Sequence, residues 1–219
     1  MSKVFIVGGA GQVARHLARQ LSQRGHVPRS LHRHAEQADE LKALGAEPVL
    51  GNLLELDASG LAQLMVGSDV VVFSAGAGGK GGPEMTNAID GRGLETAVAA
   101  AQQAGIRRFL LVSAFPEAAR GKVVSDTFEN YMAVKKRADV HLAETDLDWV
   151  ILRPGRLLDE AGDGKVRAGL AIPYGDVPRG DVAAALAELV DQPQVNRIII
   201  ELTQGQTPVG EAIGKLARD

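Results

Sequence analysis

The feature that most limits the folds open to this chain is its first turn. Lys3-Val4-Phe5-Ile6-Val7 runs without a break into Gly8-Gly9-Ala10-Gly11-Gln12-Val13-Ala14, and a helical pattern follows from Arg15 to Arg24. A short apolar strand feeding a glycine loop that opens a helix presents backbone N–H groups, and the positive end of the helix dipole, to an anion. The spacing fits a dinucleotide-binding turn, either from Gly9 and Gly11 to Ala14 or as Gly8-x-x-Gly11-x-x-Ala14. In this geometry Gly9 is expected to make the tight turn, Gly11 to admit the pyrophosphate, and Ala14 to keep the helix close to the strand. Glycine alone proves little in a chain with 26 of them. The weight comes from the strand before, the helix after, and a second strand near residue 30.

Further along, short β-branched runs alternate with amphipathic segments. Val4–Val7, Val27–His32, Pro48–Leu50, Val70–Phe73, Phe109–Val112, Trp149–Leu152 and Ile198–Leu202 read as strands. Ala35–Leu44, Ala58–Val66, Met85–Ala104, Phe128–Glu144, Val182–Val190 and Val209–Leu216 read as helices. Strands that are apolar at consecutive positions, as in Val70-Val71-Val72-Phe73, belong to a sheet covered on both faces. The expected fold is therefore α/β, a Rossmann-type doubly wound parallel sheet with helices on both faces, spanning 1–219 as one domain. Ligands of such sheets bind beyond the carboxyl ends of the strands.

Composition removes several function classes. The chain of 219 residues has no cysteine, so disulfides, cysteine metal sites and cysteine nucleophiles are out, and the five histidines lack zinc-site spacing. A net charge of −3 gives no general attraction to nucleic acid or to an anionic membrane. With no signal-like or membrane-spanning apolar run, the expectation is a cytoplasmic protein acting on a small molecule, as a homodimer or a monomer.

The strand ends carry the specificity. An NAD-preferring site places an acid at the end of the second strand to accept from the ribose hydroxyls. Here His26 to His34 holds two arginines and three histidines and no acid, and Arg33 falls where a guanidinium could clasp a 2′-phosphate, so NADP(H) is expected over NAD(H). His32 and His34 are expected at the surface. Asn52, followed by Leu53, is either an adenine contact or a plain turn residue. The fourth strand ends in Ser74-Ala75-Gly76-Ala77-Gly78-Gly79-Lys80-Gly81-Gly82, a loop that could run close under a ribose or move as a lid, with Lys80 itself read as a turn residue.

The chemical signature is Tyr131-Met132-Ala133-Val134-Lys135. Residues four apart on a helix share a face, and a nearby ammonium moves a phenol's pKa down toward the working range of an acid or base. Ser113, ending the fifth strand, is placed to hydrogen-bond a substrate carbonyl. The alternative is an exposed tyrosine and lysine on an ordinary helix.

Together with Leu147-Asp148-Trp149-Val150-Ile151-Leu152-Arg153-Pro154-Gly155, these residues resemble an atypical short-chain dehydrogenase/reductase, and more narrowly the small NAD(P)H-binding proteins related to NmrA-like proteins and biliverdin reductase B. The resemblance spans nearly the whole chain. It implies that Arg153-Pro154-Gly155 borders the nicotinamide and that Arg156 to Tyr174 forms a small C-terminal lobe over the substrate, within about 153–180. The expected cofactor contacts are then Gly8, Gly9, Ala10, Gly11, Gln12, Val13, Arg33, Asn52, Leu53, Ser74, Ala75, Gly76, Val112, Lys135, Pro154 and Gly155, with Ser113, Tyr131 and Lys135 catalytic. Two departures stand out: Asn52 replaces an aspartate common in the family, and Ser113 precedes Tyr131 by more residues than in many relatives. Three activities fit: an NADPH-dependent reductase of a small carbonyl or quinone-like acceptor, a flavin or tetrapyrrole reductase that needs no tyrosine, and a non-catalytic dinucleotide sensor. A nucleotide-sugar epimerase ranks below them, because little chain follows Pro154 to line a large polar pocket.

Overall fold

The computed structural model describes residues 1–217. In chain order the elements are β1 (Lys3–Val7), α1 (Gln12–Gln23), β2 (Val27–His32), α2 (Ala38–Ala43), β3 (Glu47–Leu50), α3 (Ala58–Met65), β4 (Val70–Phe73), α4 (Gly82–Thr86), α5 (Gly93–Gln103), β5 (Arg108–Val112), α6 (Asp126–Ala143), β6 (Asp148–Pro154), β7 (Arg156–Leu158), β8 (Lys165–Gly169), β9 (Asp176–Pro178), α7 (Arg179–Asp191), β10 (Ile198–Gln204), β11 (Thr207–Pro208) and α8 (Val209–Gly214). The main sheet has nine strands in the order β11-β8-β10-β6-β5-β4-β1-β2-β3. From β3 to β10 every pairing is parallel, while β8 runs antiparallel to β10 and to β11. This is the doubly wound arrangement, with the order reversing between β1 and β4.

Each strand sends alternate side chains to opposite faces. Val4, Ile6, Val70, Val72, Leu110, Val150 and Leu152 pack under α1, α7 and α8. Phe5, Val7, Val71, Phe73, Phe109, Leu111 and Ile151 pack under α3, α5 and α6. Both faces of the central strands are therefore dry, which is why their sequences read as unbroken apolar runs.

Three expectations need correction. The single helix expected over Met85–Ala104 is interrupted: α4 and α5 are joined through Asn87–Arg92, which winds as a wide π turn. The helix expected over Ala35–Leu44 begins as a tight 3₁₀ turn, Ala35–Gln37, before α2. The segment expected to form a lobe is divided, since β7 pairs with β9 in a two-stranded parallel ribbon and β8 joins the main sheet. A ribbon of three residues per strand is too short to show a hydrophobic period, and no such pattern announces it in the chain.

Candidate functional site

Above the switch point between β1 and β4 lies a cleft of about 470 Å³, bordered by Gly8, Ala10, Gly11, Gln12, Arg33, Asn52, Leu53, Ser74, Ala75 and Gly76. The turn that forms its floor divides the work among its glycines differently from the expectation. Gly8, at φ +80°, and not Gly9, takes the left-handed conformation, and a Cβ there would meet Ala75 Cα at 2.6 Å. Gly9 is needed for packing, because a Cβ on it would lie 2.5 Å from Ser30 Cβ. Gly11 begins α1 with no side-chain cap, and no acid stands in that helix's first turn. The free amides and the dipole at that end are left for an anion in the cleft, so the residues present fit a dinucleotide's pyrophosphate.

The charges around the cleft have one sign. Arg33 and Lys80 line it, joined by His32 and Gln37, and no Asp or Glu does so among the described residues. Of the two arginines near the end of β2, Arg29 is tied down: it donates to Val66 O at 3.1 Å and Ser68 Oγ at 2.7 Å, and lies 5.6 Å from the Phe5 ring centroid. Arg33 is exposed and has no ion-pair partner among the described residues. His32 is not at the surface as expected but 5% exposed, its Nδ1 bonded to His34 O at 3.0 Å. Asn52 lines the cleft yet spends its amide locally: Oδ1 accepts from Leu54 N at 3.1 Å and Nδ2 donates to Glu55 at 2.7 Å, as in an Asx turn.

Deeper in, α6 lays Tyr131, Lys135 and Asp139 along one face at four-residue spacing. Lys135 is 4% exposed; its Nζ donates to Val112 O at 2.9 Å and pairs with Asp90 at 3.6 Å. Asp90 comes from the π turn and also accepts from Ala77 N at 3.0 Å. It thus ties the glycine-rich loop after β4 to the buried lysine. Sequence reasoning missed Asp90, although a signal exists: it continues the buried stripe Leu94, Ala97, Ala101, and a carboxylate on such a stripe demands a partner.

With Lys135 so engaged, Tyr131 is not drawn down in pKa as expected. Burial, followed by the negative charges of Asp90 and Asp139, pushes its phenol up to about 12. Asp139 faces Arg153, whose Nε and terminal nitrogen reach it at 2.9 and 2.8 Å. Burial pushes the Asp139 carboxyl up, opposed by Ser113, Arg153 and Lys135. The Ser113 hydroxyl bears on Asp139, but neither Ser113 Oγ nor Asp139 Oδ1 completes a hydrogen bond, and both are buried. Unsatisfied buried polar atoms of this kind mark a place where a ligand group can complete the network.

Val112, Ser113 and Lys135 are thus brought together, and Asp90 connects them to the cleft wall. Gly9 and Val13 are packed within the turn and the helix start. Pro154 ends β6 and Gly155 follows it; neither is among the residues that border the cleft, and Gly155 is pressed against the Gly175 backbone, where a Cβ would come within 1.9 Å of its carbonyl oxygen.

Fold, glycine turn and cation-lined cleft together define a Rossmann-type dinucleotide-binding protein. The sequence profile of the NAD(P)H-binding family matches residues 8–193, and the chain belongs to that family. A Bacillus subtilis (strain 168) protein described as the uncharacterized sugar epimerase YhfK is 36% identical over 98% of this chain and 100% of its own length. A solved Bacillus halodurans structure, described provisionally as an NAD-dependent epimerase/dehydratase, matches with a TM-score of 0.90 at 33% identity, covering 99% of this chain and 100% of that one. ChuY, described as an anaerobilin reductase from Escherichia coli O157:H7, matches with a TM-score of 0.73 at 25% identity, covering 93% and 97%.

Proposed function

We propose that the protein is an NADPH-dependent oxidoreductase that reduces a small, flat carbonyl or quinone-like acceptor. The observation that carries this reading is the sign of the charge around the cleft: Arg33 and Lys80 on its rim, no carboxylate among its described lining residues, and an uncapped α1 N-terminus at its floor. A guanidinium suits a ribose 2′-phosphate through its planar donors, whereas an NAD site would ask for an acid. The bound nicotinamide would supply the hydride. The chain's part is to orient the acceptor through Ser113 and to keep Lys135 placed by Val112 O and Asp90.

Tyr131 bears on the direction of the chemistry. A phenol near 12 is almost wholly protonated at neutral pH, so it is a poor base and a weak acid that gives its proton only to a strongly basic centre, such as the alkoxide a carbonyl becomes on accepting hydride. Epimerisation or alcohol oxidation begins by taking a proton from a hydroxyl, which asks for the base form. Reduction asks for the acid. The same value favours a second reading, in which protonation does not depend on Tyr131, as in a flavin or tetrapyrrole reductase; the likeness to ChuY agrees with it. Relatives named as epimerases share the fold, and fold does not fix function. After β6 most of the chain here is spent on strands β8, β10 and β11 and helices α7 and α8.

The test is calorimetric titration of cofactor-stripped protein with NADPH and NADH in parallel. NADPH is expected to bind more tightly, and Arg33→Ala to reduce its affinity about 10- to 100-fold while leaving NADH unchanged, the worth of one charge-assisted contact. Equal affinities would refute the 2′-phosphate assignment, and binding of neither would remove the reductase reading. A Tyr131→Phe variant then separates the two readings: turnover falls sharply in the first and persists in the second.

A further inference from the structure

Ser113, Arg153 and Glu201 stand in a row across three neighbouring strands. Ser113 N donates to Leu152 O at 2.7 Å, one step beyond the Val112–Leu152 pairing, and Arg153 is the register partner of Glu201. Arg153 lies two residues on from Ile151, which points to the face under α5 and α6, so the row shares that face. Asp139, reaching from α6, covers its inner part by holding Arg153. At its β10 end the row opens into a second cavity, of about 640 Å³, with Glu201 among its lining residues and Ile172, Pro173 and Tyr174 as apolar wall. Phe115, two residues after Ser113, joins this cavity to the row by packing edge-on against Tyr174, with ring centroids 5.3 Å apart.

Glu201 is only 8% exposed, and Oε2 accepts from Ile172 N at 2.8 Å. It forms no ion pair among the described residues, because its neighbour Arg153 is committed to Asp139 and the Arg120 of the cavity wall is paired with Glu117. A carboxylate accepts at about four lone-pair positions, so one backbone amide leaves most of that capacity to the cavity. A nearly buried negative charge beside apolar walls repels anions and rewards a donor that replaces its lost water.

Resting on the reductase reading above, we infer that this second cavity receives the acceptor, and that Glu201 selects a flat, largely apolar molecule bearing a protonated amine or a ring N–H. Glu201 is then a specificity-determining residue, distinct from the groups around Ser113.

Fluorescence titration with two flat probes of matched shape tests it: 9-aminoacridine, a cation at neutral pH, and acridine-9-carboxylate, an anion. The wild type is expected to hold the cation about tenfold or more tighter than the anion, the worth of one hydrogen bond to a charged group. Glu201→Gln, whose amide oxygen still accepts from Ile172 N, should lose that preference, and Arg33→Ala, changed in the other cleft, should keep it. Equal affinity for the two probes, a preference that survives Glu201→Gln, or one lost in Arg33→Ala would overturn the assignment. NADPH titration of the same samples separates the two claims. Discrimination between probes without NADPH binding would sink the reductase reading and the acceptor role with it, whereas NADPH binding without discrimination would sink the Glu201 claim alone.

Discussion

Replacing Asp90 by Asn strikes the ion pair through which the loop after β4 is tied to the buried Lys135 of α6. The Asp90 and Lys135 side chains are 3% and 5% exposed and 3.6 Å apart. At an effective dielectric of about 20 their attraction is about 5 kcal/mol, within reach of the 3–5 kcal/mol typically lost when one member of a buried pair is removed. Asn is nearly isosteric and its oxygen can keep the bond from Ala77 N, but its amide then turns N–H groups toward an ammonium. We expect Asp90→Asn to lose about 3–5 kcal/mol in urea unfolding, or roughly 6–20 °C in melting temperature for a chain of this size. The double variant Asp90→Asn/Lys135→Met, which buries no unpaired charge, should recover at least half of that loss. With one negative neighbour gone, the Tyr131 phenol should also titrate below its present value of about 12. A single variant within about 1 kcal/mol of the wild type, or a double variant showing the plain sum of the two single losses, would refute the claim that the pair is coupled.

Gly155→Ala should destabilise by about 3 kcal/mol or more, because the new Cβ meets the Gly175 carbonyl at 1.9 Å and backbone cannot step aside as a side chain can; a wild-type urea midpoint would refute this. Tyr131, with its pKa raised in the fold, favours the native state below pH 10, and that contribution should fade between pH 10 and about 12; the phenolate absorbance of a Tyr174→Phe variant, which isolates Tyr131, should show a midpoint near 12, and a midpoint near 10 would contradict it. Asp191 is opposed by burial, but Arg24 and His26 outweigh it and hold its carboxyl below 3.8. Its contribution is therefore present above that value and is lost as the pH falls through the range beneath it. Asp191→Asn should flatten the acid limb of the stability curve, and an unchanged limb would count against the pairing of α1 with α7 through these residues.

The central sheet was readable because burial on both faces writes continuous apolar runs, and the first turn was readable because an uncapped helix after a strand needs glycine. Less of the second half could be read. Lys165–Gly169 places two charged residues among small ones, since only one face of this strand is covered, and it carries no run to detect. The Tyr131–Lys135 spacing was plain, but its consequence was misjudged: a cation four residues away lowers a phenol's pKa only if no carboxylate takes it first, and Asp90 lies 41 residues upstream of Tyr131 in a turn whose winding no helical period encodes. Glu201 was invisible for a related reason, as a lone acid in the Ile198–Leu202 run reads as a solvent-facing position until its neighbours on β6 and the Ala171–Tyr174 segment are in place.

The π turn gives the site an unusual kind of dependence on chain length. A wide turn holds one residue more than a regular helix would need to cover the same rise, and that surplus sets the angle at which Asp90 leaves the backbone. Removing one of the two residues that follow Asp90 in this turn, Gly91 or Arg92, would restore ordinary winding and change the angle at which Asp90 leaves the backbone, carrying it off the line between Ala77 and Lys135. Composition could stay nearly the same while the contact vanished. In this stretch the count of residues, beside the identity of Asp90, carries the information that keeps the cleft wall in register with the buried end of α6.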